Sequence, residues 1–551
     1  LASIGEIRKE GLLRETFALS TPQRVQIHAE GLADPRGTVF LAQGWVLDLE
    51  TRQPVWTMKE AGGKHSSRTD NWTSESEVTL RPGAYAVYFA ALGGVYPLNQ
   101  DIKLFGVPVG RIEGDWGRQL AWDERGKPER WGIEVRAVDP SAEARKPAEL
   151  PQPYGDADVR LLGLANGEVR RVRLDVSRPA RCLVRFTGEY SRSAKGFADA
   201  AWMSRLADWS TVWEPDYETT SLAGGAEKNR RFEGEVLLQP GAYLVTAAAD
   251  ASHAADAWNT IPPWDPESWG LALWVPDDAK GSVQVSSEEA LPRPVVHIDR
   301  VGDDDLQRKV FVVTRRAPVL VRAYGEMSGR RQFADFAWIE RTSDLETVWT
   351  MREAESRYCG GASKNRMVEV MVELDPGSYA LCYVTDDSHS YGSWNAEPPW
   401  EPQAWGASLA EISLDPGRPG GAVRPGGADD SPVLISLAPM RSDQKKVRRF
   451  EIIEAGRVEV IAIGEGEDGD MYDFGWLENE DNGQTVWTMT WRNSEPAGGA
   501  RKNRKVRTTL DLPKGSYALH FVTDGSHAFG DWNALPPDQP GLWGVTLLDR
   551  E

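Results

Sequence analysis

Leu374-Asp375-Pro376-Gly377-Ser378-Tyr379-Ala380-Leu381-Cys382-Tyr383-Val384 is the stretch whose reading decides the fold. Asp-Pro-Gly is turn chemistry: Pro presets one backbone angle and Gly supplies the conformations other residues avoid. The residues after it are apolar and rich in strand formers. A turn of this kind carries the chain from one sheet to another and leaves a Tyr whose hydroxyl bonds back to the corner. That is the signature of a two-sheet β-sandwich.

The string recurs as Leu238-Gln239-Pro240-Gly241-Ala242-Tyr243, as Leu80-Arg81-Pro82-Gly83-Ala84-Tyr85, and as Leu512-Pro513-Lys514-Gly515-Ser516-Tyr517. Thirty residues before Tyr243, Tyr379 and Tyr517 stand Trp213, Trp349 and Trp487, each ending a Thr-Val-Trp string. Eleven residues before those stand Trp202, Trp338 and Trp476. Twenty-six residues after each Tyr, a Trp-Gly closes the copy, at Trp269, Trp405 and Trp543. A first copy keeps Trp45, Trp56 and Tyr85, then diverges and reaches Trp131-Gly132 after a longer insertion. Such self-similarity at a fixed period marks a repeat architecture.

The prediction is an all-β protein of four tandem β-sandwich domains, jelly-roll or immunoglobulin-like, over residues 1–140, 155–280, 293–415 and 431–551. Trp202, Trp213, Tyr243, Trp269, Trp338, Trp349, Tyr379, Trp405, Trp476, Trp487, Tyr517 and Trp543 are expected to be structural, filling cores with large side chains. The seams 137–156, 275–294 and 414–432 mix Pro, Gly and charge and read as linkers.

Composition narrows the function. The net charge is -20, spread along the chain, and such a surface repels phosphate backbones, so nucleic acid is not an expected partner. The sequence has no apolar run long enough for a transmembrane helix. It opens on Leu1 rather than Met, which fits removal of an export signal. Cys182, Cys359 and Cys382 occupy unmatched repeat positions without a C-x-x-C pair, so neither a metal site nor a disulfide framework is expected; Cys359 and Cys382 alone fall within one copy.

The early run Val458-Glu459-Val460-Ile461-Ala462 and its counterparts, followed by the late L-x-P-G-x-Y string, resemble the pre-peptidase C-terminal type of exported bacterial β-sandwich and, more loosely, immunoglobulin-like modules. The resemblance implies a non-catalytic appendage of an exported protein, in an extracellular, cell-surface or periplasmic setting.

A polar constellation follows each corner in copies two to four. It reads Asp250, Ser252, His253, Trp258 and Asn259; Asp386, Ser388, His389, Trp394 and Asn395; and Asp524, Ser526, His527, Trp532 and Asn533, with Pro-Pro shortly after. Upstream lie Gly-Gly-Ala and Lys-Asn-Arg strings (Lys228-Asn229-Arg230, Lys364-Asn365-Arg366, Lys502-Asn503-Arg504) and an Asp three residues before the first Trp (Asp199, Asp335, Asp473). One reading is a folded loop whose polar groups satisfy its own backbone, with the Arg pairing with that Asp. A second is a binding site, a Trp face with Asp, Asn and His beside it suiting a sugar ring. A metal reading would use Asp335, Asp386, Asp387 and His389, but Asp387 becomes Ala251 and Gly525 elsewhere, so no metal or cofactor is expected. A catalytic Ser-His-Asp relay is not expected from residues so nearly adjacent. In the first copy the loop is replaced by a stretch over 91–130 that includes Gly114-Asp115-Trp116-Gly117, either a partner contact or a terminal cap.

The expected function is therefore a non-catalytic structural or assembly protein. It would contact itself or another envelope or surface protein, with carbohydrate binding as the alternative. A third reading is the non-catalytic part of a larger exported enzyme precursor.

Overall fold

The computed structural model describes the chain except residues 6, 8–9, 35, 70, 93–99, 105–106, 113–127, 140–149, 256, 287–290, 329–331, 413–420, 427–430 and 551. The Gly114–Gly117 motif of the first copy's insertion lies outside the described residues. Two compact units appear: Leu1–Leu206 with Thr211–Glu289, and Ala207–Ser210 with Ala290–Glu551. The protein is all-β with antiparallel sheets throughout. Among the described residues no helix is long and apolar enough to cross a membrane.

In the first unit, residues of the second copy form two sheets. One runs Val159–Leu162, Gly270–Trp274, Ala180–Ser191, Asn229–Leu238, Ser221–Leu222. The other runs Thr211–Trp213, Ala200–Arg205, Gly241–Ala248, Val169–Val176, Val283–Ser286. Val184, Phe186, Leu271 and Leu273 of one sheet meet Leu174, Met203 and Val245 of the other in a single buried cluster. Period-2 alternation on each strand supplies this face. Nine of the first copy's strands belong to one sheet, because Gln23–Ala33 pairs with Phe40–Asp48 as well as with Asn71–Leu80, through a register shift at Leu32/Ala33, while Gln100–Leu104 and Val107–Ile112 pair separately.

In the second unit the third copy repeats both strand orders, with Val423–Pro425 in the place of Val283–Ser286. In the fourth copy the second sheet has four strands: Lys445–Ile452, Gly515–Val522, Phe474–Asn479, Gln484–Thr488. Two of the seams that read as linkers thus contain sheet strands. Their pairing is invisible in a three- or four-residue string carrying Pro or flanked by Gly. In the third copy, Glu411 receives the backbone N–H groups of Gly421, Ala422 and Val423 and so fixes the turn into that strand.

The corner Tyr behaves alike in every copy. The hydroxyls of Tyr85, Tyr243, Tyr379 and Tyr517 donate to the carbonyls of Arg81, Gln239, Asp375 and Pro513 at 2.9, 2.7, 3.0 and 2.8 Å. The paired Trps divide their work between two faces. Trp56 lies in the first copy's core, and Trp213 packs against the second's. Trp45 and Trp202 lie on the opposite face, since Val46 and Met203, next to them on the strand, take the core positions. Trp45 stacks on Tyr88 at 5.1 Å, and its indole donates to Trp264 O at 2.8 Å, so the second copy covers it. Trp338 and Trp349 are buried, and Trp476 is half-buried, stacked on His520 at 4.6 Å.

Within each unit a hairpin tip of one copy docks on the next. Arg52, at φ 57°, is buried and pairs with Asp265, its Nε donating to Oδ2 at 2.8 Å, and its Nη2 also reaches Glu267 at 3.1 Å. Leu345, also at φ 57°, occupies the same tip position in the third copy; its carbonyl accepts from Gln539 Nε2 at 2.7 Å. Gln539 stands where Asp265 stands relative to the closing Trp-Gly. Cys182, Cys359 and Cys382 are buried free thiols.

Candidate functional site

The polar constellation gathers at one corner of the second, third and fourth copies. Asp335, just ahead of the Phe336–Arg341 strand, is fully buried. Its Oδ1 accepts the backbone N–H of Asp386 at 2.9 Å, and its Oδ2 accepts the indole N–H of Trp405 at 3.0 Å. Asp199 does the same with Asp250 and Trp269 (2.8 and 2.9 Å), and Asp473 with Asp524 and Trp543 (2.8 and 3.0 Å). One carboxylate thus ties the post-corner loop to the closing Trp.

His389 is buried and sits at φ 55°, with His253 at 54° and His527 at 53°. A left-handed backbone at a non-glycine residue persists only where its surroundings hold it. The imidazole is the holding group. Asn365 Nδ2 donates to Gly360 O and Glu397 O at 2.9 and 3.0 Å, which leaves Asn365 Oδ1 as acceptor. His389 Nε2 therefore donates to it, at 2.6 Å. His253 and His527 make the same bond to Asn229 and Asn503 at 2.7 and 2.6 Å. Each ring also meets two indoles edge-on: His389 lies 5.1 Å from Trp394 and 5.8 Å from Trp405, and those indoles are themselves 5.0 Å apart at 87°. Burial pushes the imidazoles down, with a neighbouring Lys adding to the effect, to about 4 for His389 and about 3 for His527. They are neutral at pH 7.

The Gly-Gly-Ala string has a steric reason. Gly225, Gly361 and Gly499 adopt φ near +65°, and a Cβ on any of them would collide with the carbonyl of Pro262, Pro398 or Pro536. The Pro-Pro segment packs there, and Ala362 N donates to Glu397 O at 2.9 Å.

The Lys-Asn-Arg string works differently from the Arg–Asp pairing expected of it. Lys364 Nζ lies 3.0 Å from Glu326 Oε1 and donates to Asn395 Oδ1 at 2.7 Å. Lys228 pairs with Glu189 and Asn259, and Lys502 with Glu465 and Asn533. Arg230 and Arg504 instead stack over Tyr217 and Trp491 at 4.3 and 4.1 Å and donate to loop carbonyls. Sequence reasoning missed the Glu, which lies at or near the end of a long strand in each copy. The Asp was already committed to an indole and an amide, so it offered the Arg nothing.

Glu326, Asp335 and Asp386 bring one oxygen each within 4.8 Å of one another, as do Glu465, Asp473 and Asp524. Burial raises Glu326 and Asp473 to about 7 and Asp335 well above its ordinary value. The Lys ammonium supplies the counter-charge in both groups. His389 and Asp387 do not join this trio: His389 Nε2 is bound to Asn365, its Nδ1 lies 3.0 Å from Asn395 Oδ1, and Asp387 is exposed.

Ser252, Ser388 and Ser526 enter through their backbone N–H groups, which donate to Asp250, Asp386 and Asp524 Oδ1 at 2.9, 3.0 and 2.9 Å. Trp258, Trp394 and Trp532 are half-buried, and Asn259, Asn395 and Asn533 are exposed. The first copy keeps a reduced form without His. Trp131 Nε1 donates to Asn71 Oδ1 at 3.2 Å, and Asn71 Nδ2 donates to Glu30 at 2.6 Å. Asn71 holds the place of Asn365, but Leu32 stands opposite it where Glu326 stands in the third copy, so Glu30 reaches Asn71 from the position of Tyr324; Ala42 holds the place of Asp335.

Fold and site together define a class: antiparallel β-sandwich repeats, of which the second, third and fourth are each closed at one corner by a buried His–Asn–Asp–Trp lock. Beyond that class the comparisons are silent, for no protein-family model matches the chain and no curated protein matches it.

Proposed function

We propose that this chain is a non-catalytic structural and interaction protein, associating with itself or with another envelope or surface protein. One observation carries the reading: the repeated constellation spends its chemistry internally. The three imidazoles are fully buried, neutral and bonded to Asn side chains that in turn hold loop carbonyls. A general base needs access to substrate and a pKa near the working pH, and these groups have neither. Tip-to-corner docking between copies supports a scaffold role, because an ion pair such as Arg52–Asp265 fixes one copy against the next. The likeness of the strand framework to exported bacterial modules supports an extracellular, cell-surface or periplasmic setting.

Sedimentation velocity across a concentration series tests the proposal. Concentration-dependent association, or a stable complex with a surface protein, is the expected outcome. A strict monomer that captures no partner from its own envelope fraction contradicts it.

A second reading is favoured by the half-buried Trp258, Trp394 and Trp532 beside exposed Asn259, Asn395 and Asn533. That edge suits a sugar ring, stacked on the indole and bonded to the amide. Glycan-array binding that is lost on Trp394→Ala while the fold is retained would favour it over the scaffold role.

A further inference from the structure

A junction between two copies is built within each unit, and its chemistry differs between them. In the second unit it is apolar: Leu345 at the third copy's tip packs with Ile461, Leu542 and Leu548 of the fourth copy in one cluster. In the first unit the matching positions are polar or aromatic. Arg52 stands in the place of Leu345, seven residues after the first Trp of its copy. Ser268 and Trp274 stand in the places of Leu542 and Leu548, one residue before and five after the closing Trp. Arg185 stands in the place of Ile461, each paired with the third residue after that Trp.

These groups leave the junction open on one side. A cleft of about 460 Å³ lies there, lined by Arg52 and Gln53 of the tip, by Arg185, Thr187 and Ser268, and by the loop 222–227. Its size falls in the range of small-molecule sites, ~300–1,000 Å³. Two guanidiniums on it are incompletely bonded. Arg52 gives Nε and Nη2 to Asp265 and Glu267, but its Nη1 is buried and meets no acceptor among the described residues. The Arg185 guanidinium lies 5.3 Å from the ring centre of Tyr154 and 5.4 Å from that of Trp274, and its Nη2 donates to Glu233 at 3.0 Å. Arg185 Nε is buried without an acceptor among the described residues. A buried donor left unpaired costs the desolvation of that group. The fourth copy avoids the cost with Ile461, whereas the first unit keeps the donors beside a cleft.

The lining also sets the ligand's charge. Arg52, Lys59, Arg185 and Arg231 are matched there by Glu60, Glu227, Glu233 and Asp265, so neither sign is selected. Interleaved donors and acceptors suit hydroxyl groups, which give and accept hydrogen bonds. Trp264, half-buried, and Leu222, 58% exposed, add apolar surface for the face of a ring. His253, the lock imidazole of the second copy, does not line the cleft.

We infer that this cleft binds a short neutral saccharide, its hydroxyls bonded to Arg185, Arg231 and Glu233 and its oxygens taking the two unpaired guanidinium N–H groups. The inference rests on the carbohydrate reading above, but it moves the site from the repeated Trp–Asn edge to the junction of the first two copies.

The probes are cellotetraose, maltotetraose and tetra-N-acetylchitotetraose, with tetragalacturonate as the acidic control, each titrated calorimetrically into the full chain. At least one neutral probe is expected to bind, and more tightly than the acidic one, with slowed hydrogen exchange at 51–54 and 222–227. The R185I/S268L variant installs the fourth copy's residues at the junction. Its affinity should fall at least about tenfold without a fall in thermal midpoint. Trp394→Ala, in the other unit, should bind as the parent does. Loss on Trp394→Ala with parent-like binding by R185I/S268L would keep the edge reading and overturn this one. No binding by any neutral probe, or slowed exchange only outside 51–54 and 222–227, overturns it as well. That exchange map is read on the parent, so it decides even if the double variant fails to fold.

Discussion

His389 Nε2 donates to Asn365 Oδ1 at 2.6 Å, and that one bond joins the loop after the corner to the start of the Asn365–Leu374 strand. Asn365 passes the restraint on to the carbonyls of Gly360 and Glu397. His389→Ala removes the ring between Trp394 and Trp405 and leaves a buried amide oxygen without a donor. A loss of about 2–4 kcal/mol is expected from the cavity and the unmade bond together. Hydrogen-exchange protection of the third copy measures it; protection equal to the parent would contradict the role assigned to the imidazole.

The pH dependence follows from the same burial. His527 is held at about 3 in the fold, against 6.5 for an unperturbed His. Below pH 6.5 the unfolded chain takes up a proton that the fold refuses, so this contribution is present above 6.5 and is lost as the pH falls toward 3. Relative to His527→Gln, the parent should lose about 1.4 kcal/mol of fourth-copy stability per pH unit over most of that window. Asp473, raised to about 7, acts in the opposite sense: it favours the fold at low pH, and that advantage disappears as the pH rises through 7. It is present in both proteins and drops out of the difference to first order. Parallel pH profiles for the two proteins, read by hydrogen exchange over 503–512, would count against a neutral His527.

Arg52 and Asp265 form a buried pair between the first and second copies. Arg52→Met strands a buried carboxylate and should cost about 3–5 kcal/mol at that junction. Arg52→Met combined with Asp265→Leu should recover most of the loss, because apolar replacements of a buried pair are often close to neutral. Urea denaturation of the two variants separates these outcomes; a double variant no more stable than the single one would contradict the account.

The corner Tyr is a smaller contributor. Tyr379→Phe removes the bond to Asp375 O at 3.0 Å and keeps the ring stacked on Phe311 at 5.7 Å. The expected cost is about 1 kcal/mol, read as a shift of the urea midpoint without a change in slope.

The sequence made some of this legible and hid the rest for physical reasons. Pro-Gly-x-Tyr is local chemistry, so the corner and its hydroxyl bond could be anticipated, and the Trp spacings exposed the repeat. Membership of His253, Asn229 and Asp199 in one loop system could also be read, since each recurs at a fixed offset. What they bond to could not. Glu189, Glu326 and Glu465 sit at or near strand ends with no motif around them, and only the fold brings each to its Lys. The covering strands Val283–Ser286 and Val423–Pro425 are too short to carry a period. The outward face of Trp45 depends on a neighbouring copy that no local pattern announces.

The central claim is that the repeated His is a buried, neutral structural donor and not part of a working site. Long-range proton–nitrogen NMR of the imidazoles tests it most directly, across pH 4.5 to 8 and with candidate glycans present. The account predicts three rings locked as the Nε2–H tautomer throughout the upper part of that range, with no midpoint near 6.5 and no shift on adding sugars. Any of His253, His389 or His527 titrating near 6.5, or moving with a ligand, would contradict it.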